Sequence, residues 1–213
     1  MDNGSTQRES ADNAGEASVA GDAVGAVLGA LRRWHTAGPA VSVVGIDGPG
    51  ASGKSTVAGR LASMLELSLV HTDDFFRPPS ARRDRPASIG EYYDVARLRA
   101  EALEPLRAGR GAIFACFDWD SGALSDEPVH VKANEIVLVE GVYSASPELA
   151  DLVDKVIFVA TPAEERLRRL RGLIAPGDWD TDWLAAENEY FSTVRPMDFF
   201  DLVISGNDTT RSL

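Results

Sequence analysis

The apolar residues of the chain fall into short runs that are separated by longer amphipathic or polar stretches. Several runs are rich in β-branched residues and too short for a buried helix, which is typical of strands buried on both faces. Strands are therefore predicted at residues 41–46, 68–72, 112–117, 136–139, 156–159 and 202–204.

The stretches between these runs have helical spacing. In the first, which begins at Asp22 and ends before Gly38, apolar residues recur at intervals of three and four from Val24 to Trp34. Further helices are predicted from the glycine-rich loop to Leu65 and at 91–108, 162–173 and 181–193, whereas the proline-rich segment 77–89 is predicted to be irregular. Buried strands that alternate with helices indicate a parallel sheet covered on both faces, so the sequence predicts one three-layer α/β domain.

Composition limits the setting in which this domain works. Residues 1–20 are small and polar, which predicts a disordered tail ahead of a folded domain at 21–213. The net charge of −12 argues against nucleic-acid and membrane partners, because both need a basic surface. The single cysteine, Cys116, excludes an intramolecular disulfide and is interpreted as a small buried residue. No membrane span or signal peptide is recognised, so a cytoplasmic protein is expected.

One segment, residues 48–55, satisfies the phosphate-loop pattern G-x-x-x-x-G-K-[ST] between a predicted strand and a predicted helix. Its glycines allow positive φ, which turns backbone N–H groups toward phosphate oxygens, and the helix adds its positive dipole end. Lys54 is expected to reach the β and γ phosphates, and the Ser55 hydroxyl to ligate Mg²⁺. A nucleoside triphosphate with Mg²⁺ is therefore predicted to bind to Gly48, Gly50, Ala51, Ser52, Gly53, Lys54, Ser55 and Thr56.

Acidic residues follow the second and fourth predicted strands, at Asp73 and Glu140. The carboxyl ends of parallel strands lie at one edge of a sheet, where phosphoryl transfer needs a base and a carboxylate near the metal. Asp73 is predicted to be the catalytic base, and Asp73, Glu140 and Ser55 are predicted to be metal-site residues. Asp74 is interpreted as a neighbour of the base, and His71 as a strand residue without a chemical role.

The predicted helix at 162–173 carries four arginines. Arg166 and Arg169 share one face, and Arg168 and Arg171 share another. One interpretation is a solvated cationic surface. The other is a lid, at about 162–185, whose arginines close over the phosphates and neutralise charge in the transition state. On the lid hypothesis Arg169 is catalytic, and Arg166 and Arg171 contact the substrate.

These motifs together resemble the uridine kinase and phosphoribulokinase group of P-loop kinases, over about residues 41–206. The resemblance implies a P-loop NTPase fold with a small helical lid, and ATP-dependent, Mg²⁺-assisted phosphorylation of a small-molecule hydroxyl with Asp73 as base. It rests on the phosphate loop at 45–56, His71-Thr72-Asp73-Asp74-Phe75-Phe76, Phe117-Asp118-Trp119, Glu140-Gly141, the arginine helix after Glu165, and the segments 190–196 and 201–204.

The acceptor end of the site departs from this family. Gly122 falls near the place of the histidine that reads the pyrimidine in uridine kinases, and Phe117 replaces a tyrosine. The second basic cluster of the lid is replaced by residues 175–180. The acceptor is expected to contact Phe76, Tyr93, Asp118 and Trp119, with Arg166 and Arg171 from the lid. For Tyr93, a role in helix packing is an equally favoured alternative. Arg82 or Arg83 is a further candidate for contacting the acceptor.

Several functions stay open on this basis. A kinase of this type would act on a nucleoside or on a non-nucleoside alcohol such as a vitamin precursor or a sugar. A GTP-binding switch is less favoured, because the sequence after the phosphate loop has no D-x-x-G followed by N-K-x-D. The presence of Lys54, Asp73 and Glu140 together opposes a nucleotide-binding protein without turnover. ATP and a small-molecule acceptor are the expected partners, and a homo-oligomer is compatible with the sequence.

Overall fold

The computed structural model describes residues 23–84, 86–171 and 181–207. Five strands form one parallel sheet in the order β2-β5-β1-β6-β7, with the strand before the phosphate loop at its centre. A separate pair, β3 and β4, is antiparallel. In chain order the strands are β1 (Ser42–Asp47), β2 (Ser68–His71), β3 (Ala112–Asp118), β4 (Ala123–Val131), β5 (Ile136–Glu140), β6 (Lys155–Ala160) and β7 (Leu202–Ser205).

Helices cover both faces of the parallel sheet. Val43 faces one core with Leu103, and Val44 faces the other with Leu31 and Leu61, as alternation along a strand requires. The predicted three-layer α/β fold is thus confirmed. The α-helices are α1 (Ala23–Ala37), α2 (Lys54–Met64), α3 (Val95–Arg97), α4 (Glu104–Arg107), α5 (Ala163–Leu170) and α6 (Thr181–Glu189), with π-helical turns at Leu98–Leu103, between α3 and α4, and at Tyr190–Val194, after α6.

The helix predicted from residue 91 begins later than expected. Ile89–Tyr92 forms a 3₁₀ turn and Tyr93 is extended. Asp94 then caps α3, because its carboxylate accepts a hydrogen bond from the Arg97 N–H at 3.2 Å. Aspartate is a preferred N-cap, and here it determines where the helix begins.

The third predicted strand was placed in the wrong sheet. β3 pairs with β4, which the sequence did not predict, and the two form an antiparallel hairpin. On β3, Phe114 is buried against Phe75 at a ring-centroid distance of 4.8 Å, whereas the neighbouring Ile113 is exposed. β4 is largely exposed and contains Pro128, which a strand at an edge tolerates.

Some predictions fall on residues outside the described ranges. The tail at 1–20 and residues 172–180 of the predicted lid are among them. Within the described ranges, none of the helices has the length and apolar character that crossing a bilayer would need.

Candidate active site

The phosphate loop lies where β1 ends and α2 begins, at the centre of the sheet. Gly53 caps α2 with φ of 102°, a left-handed conformation that glycine adopts without steric cost. The Ser52 N–H donates to the Pro49 carbonyl at 3.1 Å, which closes the turn. Lys54 is buried along the loop, and its Nζ donates to the same carbonyl at 3.0 Å. The loop therefore presents a helix N-terminus and a lysine at one place, as an anion site requires.

A buried carboxylate fixes the base of this loop. Asp47 accepts hydrogen bonds from the backbone N–H groups of Gly48, Tyr143 and Ala145 and from the Tyr190 hydroxyl, at 2.8 to 3.1 Å. Burial raises the pKa of Asp47 to about 6, although these hydrogen bonds and Lys54 act in the opposite direction. Asp47 thus ties the end of β1 to the loop after β5 and to the helix that follows α6.

The ends of β2 and β5 meet through a close backbone contact. Gly141 has φ of 132°, and a Cβ atom there would lie 1.9 Å from the Thr72 hydroxyl, so a larger residue does not fit. The Thr72 hydroxyl donates to the Val142 carbonyl at 3.0 Å. This contact brings Asp73 and Glu140 to the same edge of the sheet, as expected for parallel neighbouring strands.

His71 has a contact that its interpretation as a plain strand residue misses. It is in register with Glu140 across β2 and β5, and its Nδ1 lies 2.6 Å from Glu140 Oε1. The hydrogen bond with Glu140 raises the pKa of His71. The available signal was that both predicted strands end in polar residues, but their register could be seen only in the folded chain.

Asp73 is accessible from the cleft beside the phosphate loop, although protein atoms surround its carboxylate. Desolvation by these walls raises the pKa of Asp73, and the nearby Glu140 adds to the effect, whereas Lys54 opposes it. The Tyr93 hydroxyl lies 3.4 Å from Asp73 Oδ1, within reach of a long hydrogen bond. A desolvated carboxylate close to the phosphate-binding lysine is well suited to accept a proton.

The residues present fit a magnesium ion that is shared with phosphate groups. Ser55, Asp73 and Glu140 line one cleft, and Glu140 Oε2 is buried without a hydrogen-bond partner among residues 23–84, 86–171 and 181–207. In the described part of the chain, no group of three or more His, Cys, Asp and Glu side chains could hold a metal by itself. Mg²⁺ characteristically keeps several waters and takes one or two carboxylates plus substrate phosphates, so this sparse donor set is of the right kind.

The cleft has a volume of about 400 Å³ and extends from the phosphate loop to an aromatic wall. Phe76 is at the centre of that wall, with ring centroids 4.8 Å from Trp119 and 5.8 Å from Trp183. Trp119 is 62 % exposed. Of the residues predicted for the acceptor, Phe76 and Trp119 therefore line the cleft, and Trp183 is an addition that the sequence did not reveal.

The four other predicted substrate contacts do not line the cleft: Tyr93, Asp118, Arg166 and Arg171. Tyr93 is buried behind the wall and stacks on Tyr143 at 6.0 Å, which agrees with its alternative role in packing. Asp118 accepts a hydrogen bond from the Asp120 N–H at 3.0 Å and so stabilises the hairpin turn. Arg171 is exposed just after α5.

The arginines of α5 contact the phosphate loop through its backbone. Arg166 donates to the Gly50 carbonyl at 3.1 Å, and Arg169 donates to the Ala51 and Gly206 carbonyls at 3.2 and 3.1 Å. Neither arginine lines the cleft in this conformation. The predicted helix is therefore present, but these two side chains support the loop from outside.

Glu187 is a site residue that the sequence analysis missed. It lies on α6, is 2 % exposed and lines the cleft. Its carboxylate accepts the Gly50 N–H at 2.6 Å and forms an ion pair with Arg166 at 2.9 Å. No local sequence pattern identifies Glu187, because its partners are distant in the sequence. Gly50 is more than a hundred residues away, and Arg166 lies on the preceding helix, α5.

Curated relatives share most of the chain. A uridine kinase from Shewanella denitrificans is 27 % identical over 169 residues, which cover 73 % of this chain and 78 % of the relative. A uridine kinase from Staphylococcus aureus strain JH9 is 28 % identical over 172 residues, covering 74 % and 80 %. No family model matches the chain.

Solved structures agree on the fold. A protein described as a possible uridine kinase from Bacillus stearothermophilus superposes with a TM-score of 0.67 at 21 % identity, over 85 % of this chain and 96 % of that one. At 21 % identity this similarity supports the fold only. The curated relatives support a kinase at modest identity, and together the comparisons confirm the predicted resemblance of this chain to the uridine kinase and phosphoribulokinase-like family of P-loop kinases.

Proposed function

We propose that the chain is an ATP-dependent small-molecule kinase, similar to uridine kinases, that transfers the γ-phosphate to a hydroxyl of a nucleoside or a similar metabolite. The observation that carries this proposal is one continuous cleft, lined by Lys54 and Ser55 of the phosphate loop and by the carboxylate of Asp73. A donor site and a base that share a cleft are the two parts that phosphoryl transfer needs.

In the proposed reaction Asp73 accepts the proton of the acceptor hydroxyl. The hydroxyl oxygen forms a bond to the γ-phosphorus, and the bond between that phosphorus and the β,γ-bridging oxygen breaks, which releases ADP. Lys54 and the loop amides stabilise the negative charge on the β and γ oxygens. The raised pKa of Asp73 supports this role, because a base with a higher proton affinity takes the proton more readily.

Ser55 and Glu140 are the proposed ligands of Mg²⁺, whose contribution when bound is to neutralise phosphate charge. The unpartnered Glu140 Oε2 supports this assignment, and the contact with His71 fixes the orientation of the carboxylate. Arg169 is proposed to stabilise charge in the transition state. In this role Arg169 would exchange its bonds to the Ala51 and Gly206 carbonyls, which hold it outside the cleft in this conformation, for phosphate oxygens.

A non-nucleoside acceptor is the second candidate, and one observation favours it. Gly122, near the place of the base-reading histidine of uridine kinases, lies in the turn between β3 and β4. A Cβ atom there would meet nothing within 4 Å. Trp119 of this turn lines the cleft, but Gly122 does not and has no side chain, so it gives no support to pyrimidine recognition.

The experiment is an acceptor panel with the purified full-length chain, ATP and Mg²⁺. ADP release and the phosphorylated product are measured for nucleosides, vitamin precursors, sugars and other alcohols. The proposal predicts acceptor-dependent ADP release with a matching amount of phosphorylated product. ADP release that no acceptor stimulates would contradict it, and stimulation by non-nucleosides alone would favour the second candidate.

A further inference from the structure

The acceptor end of the cleft contains a cation that the proposed transfer does not use. Arg82 lines the cleft together with Phe76 and Trp119. Its guanidinium carbon lies 5.1 Å from the centroid of the Phe76 ring and 4.7 Å from that of Tyr92. Such cation–π contacts hold a planar guanidinium against the aromatic wall without using its N–H groups as hydrogen-bond donors.

At least one of these donors has no acceptor in the described part of the chain. The Nη1 atom of Arg82 is buried and has no hydrogen-bond partner among the described residues. Leaving a buried polar group unpaired is unfavourable, and a charged donor more so than a neutral one. The neighbouring Arg83 differs, because it is 69 % exposed and pairs with Glu91, to which its Nε donates at 2.9 Å.

The surroundings of Arg82 indicate what would complete it. An oxyanion satisfies a guanidinium best, since two parallel N–H groups can donate to two oxygens. The cleft also holds the carboxylates of Asp73, Glu140 and Glu187. A singly charged carboxylate suffers less repulsion from them than a doubly charged phosphate. Beside Arg82, the exposed face of Trp119 offers a stacking surface for a planar ring.

We infer that the acceptor of this kinase joins a planar ring to a carboxylate, with the ring against Phe76 and Trp119 and the carboxylate on Arg82. This inference rests on the proposed function, because it places the acceptor in the cleft that Asp73 shares with the phosphate loop. It makes Arg82 the residue that determines specificity at the acceptor end.

Two pairs of compounds that differ in one acidic group test the inference. Orotidine carries a carboxylate that uridine lacks, and nicotinic acid riboside carries one where nicotinamide riboside has a neutral amide. Dissociation constants are measured by calorimetry for the full-length chain with Mg²⁺ and a non-hydrolysable ATP analogue. The acidic member of at least one pair is expected to bind about tenfold more tightly or better, which corresponds to one charge-assisted hydrogen-bonded contact.

Substitutions assign the preference to its residue. Arg82→Gln should abolish the preference for the acidic member, and Arg82→Lys, which keeps the charge but loses the two-pronged geometry, should retain part of it. Arg83→Gln is the matched control and should bind as the wild type does. Circular dichroism of each variant confirms that the fold is retained.

Three results would overturn the inference: wild-type binding without preference for either acid, a preference that survives in Arg82→Gln, and no binding of any of the four probes. The proposed function fails separately, if no acceptor stimulates ADP release. A chain that phosphorylates neutral alcohols and shows no preference for acids would overturn the role of Arg82 alone.

Discussion

The ion pair of Glu187 and Arg166 contacts both the N–H and the carbonyl of Gly50 in the phosphate loop, and the effect of removing it should be measurable. Glu187 accepts the Gly50 N–H at 2.6 Å, Arg166 donates to the Gly50 carbonyl at 3.1 Å, and the two side chains are 2.9 Å apart. The perturbation is a double-mutant cycle of Glu187→Gln and Arg166→Gln. Each variant removes one charge; Glu187→Gln is nearly isosteric, whereas Arg166→Gln also shortens the side chain.

The magnitude follows from burial. The Glu187 side chain is 3 % exposed and that of Arg166 is 19 % exposed, so neither is fully solvated when its partner is lost. A hydrogen bond to a charged group contributes about 1.5–3 kcal/mol. The glutamine keeps one hydrogen-bond acceptor, and Arg166 remains partly solvated. We therefore expect Glu187→Gln to lower the free energy of unfolding by about 2 kcal/mol, with a coupling energy of about 1–2 kcal/mol to Arg166.

The pair Glu91 and Arg83, away from the phosphate loop, is a control within the same chain. Arg83 Nε donates to Glu91 at 2.9 Å, but Arg83 is 69 % exposed. Exposed pairs of this kind contribute little, so the matching cycle should give a much smaller coupling energy than the cycle of Glu187 and Arg166. Free energies are obtained from urea-induced unfolding of the wild type, the two single variants and the double variant of each cycle.

A second readout connects the pair to the loop. If the pair positions Gly50, then Glu187→Gln should weaken binding of a non-hydrolysable ATP analogue, whereas Glu91→Gln should have a smaller effect. A Glu187–Arg166 coupling energy no larger than that of the exposed pair would refute the reasoning.

Two further predictions concern groups beneath the site. Burial raises the pKa of Asp47 to about 6. Between about pH 4 and 6 the folded chain therefore keeps a proton on Asp47 that the unfolded chain has released. The stability of the wild type relative to Asp47→Asn should thus fall by about 3 kcal/mol as the pH rises through this window. Urea unfolding at several pH values tests this, and a difference that is flat or rises with pH contradicts it. Gly141→Ala should destabilise the chain by about 3 kcal/mol or more, because its Cβ would lie 1.9 Å from the Thr72 hydroxyl at a φ of 132°. Gly59→Ala, in α2 and with no described atom within 4 Å of the added Cβ, should be neutral or stabilising in the same urea unfolding assay, and equal losses for both would contradict the argument.

The parts of the molecule that sequence predicted well are those with local causes. Each buried strand of the parallel sheet is an apolar run, and the phosphate loop is a contiguous pattern whose backbone conformation depends on its own glycines. Asp73 and Glu140 could be placed at one edge, since parallel strands of one sheet end there. These inferences needed no knowledge of which strands are neighbours.

The parts that sequence did not predict depend on partners far along the chain. The apolar run of β3 has the composition of a sheet strand, but its pairing with the polar, exposed β4 decides where it lies. Glu187 looks like any acidic residue on a helix until α6 is packed against the phosphate loop. His71 became a contact of Glu140 only through the register of β2 and β5.

The central claim is that Asp73 is the base of a phosphoryl transfer, and Asp73→Asn tests it most directly. Asp74 is the matched control, because its carboxylate bonds to Cys116 and it does not line the cleft. With an acceptor from the panel, Asp73→Asn should lower kcat by about 10²–10⁴-fold, whereas binding of the ATP analogue should change by less than about threefold. Asp74→Asn should keep most of the wild-type rate. An Asp73→Asn variant that phosphorylates the acceptor at the wild-type rate would contradict the account.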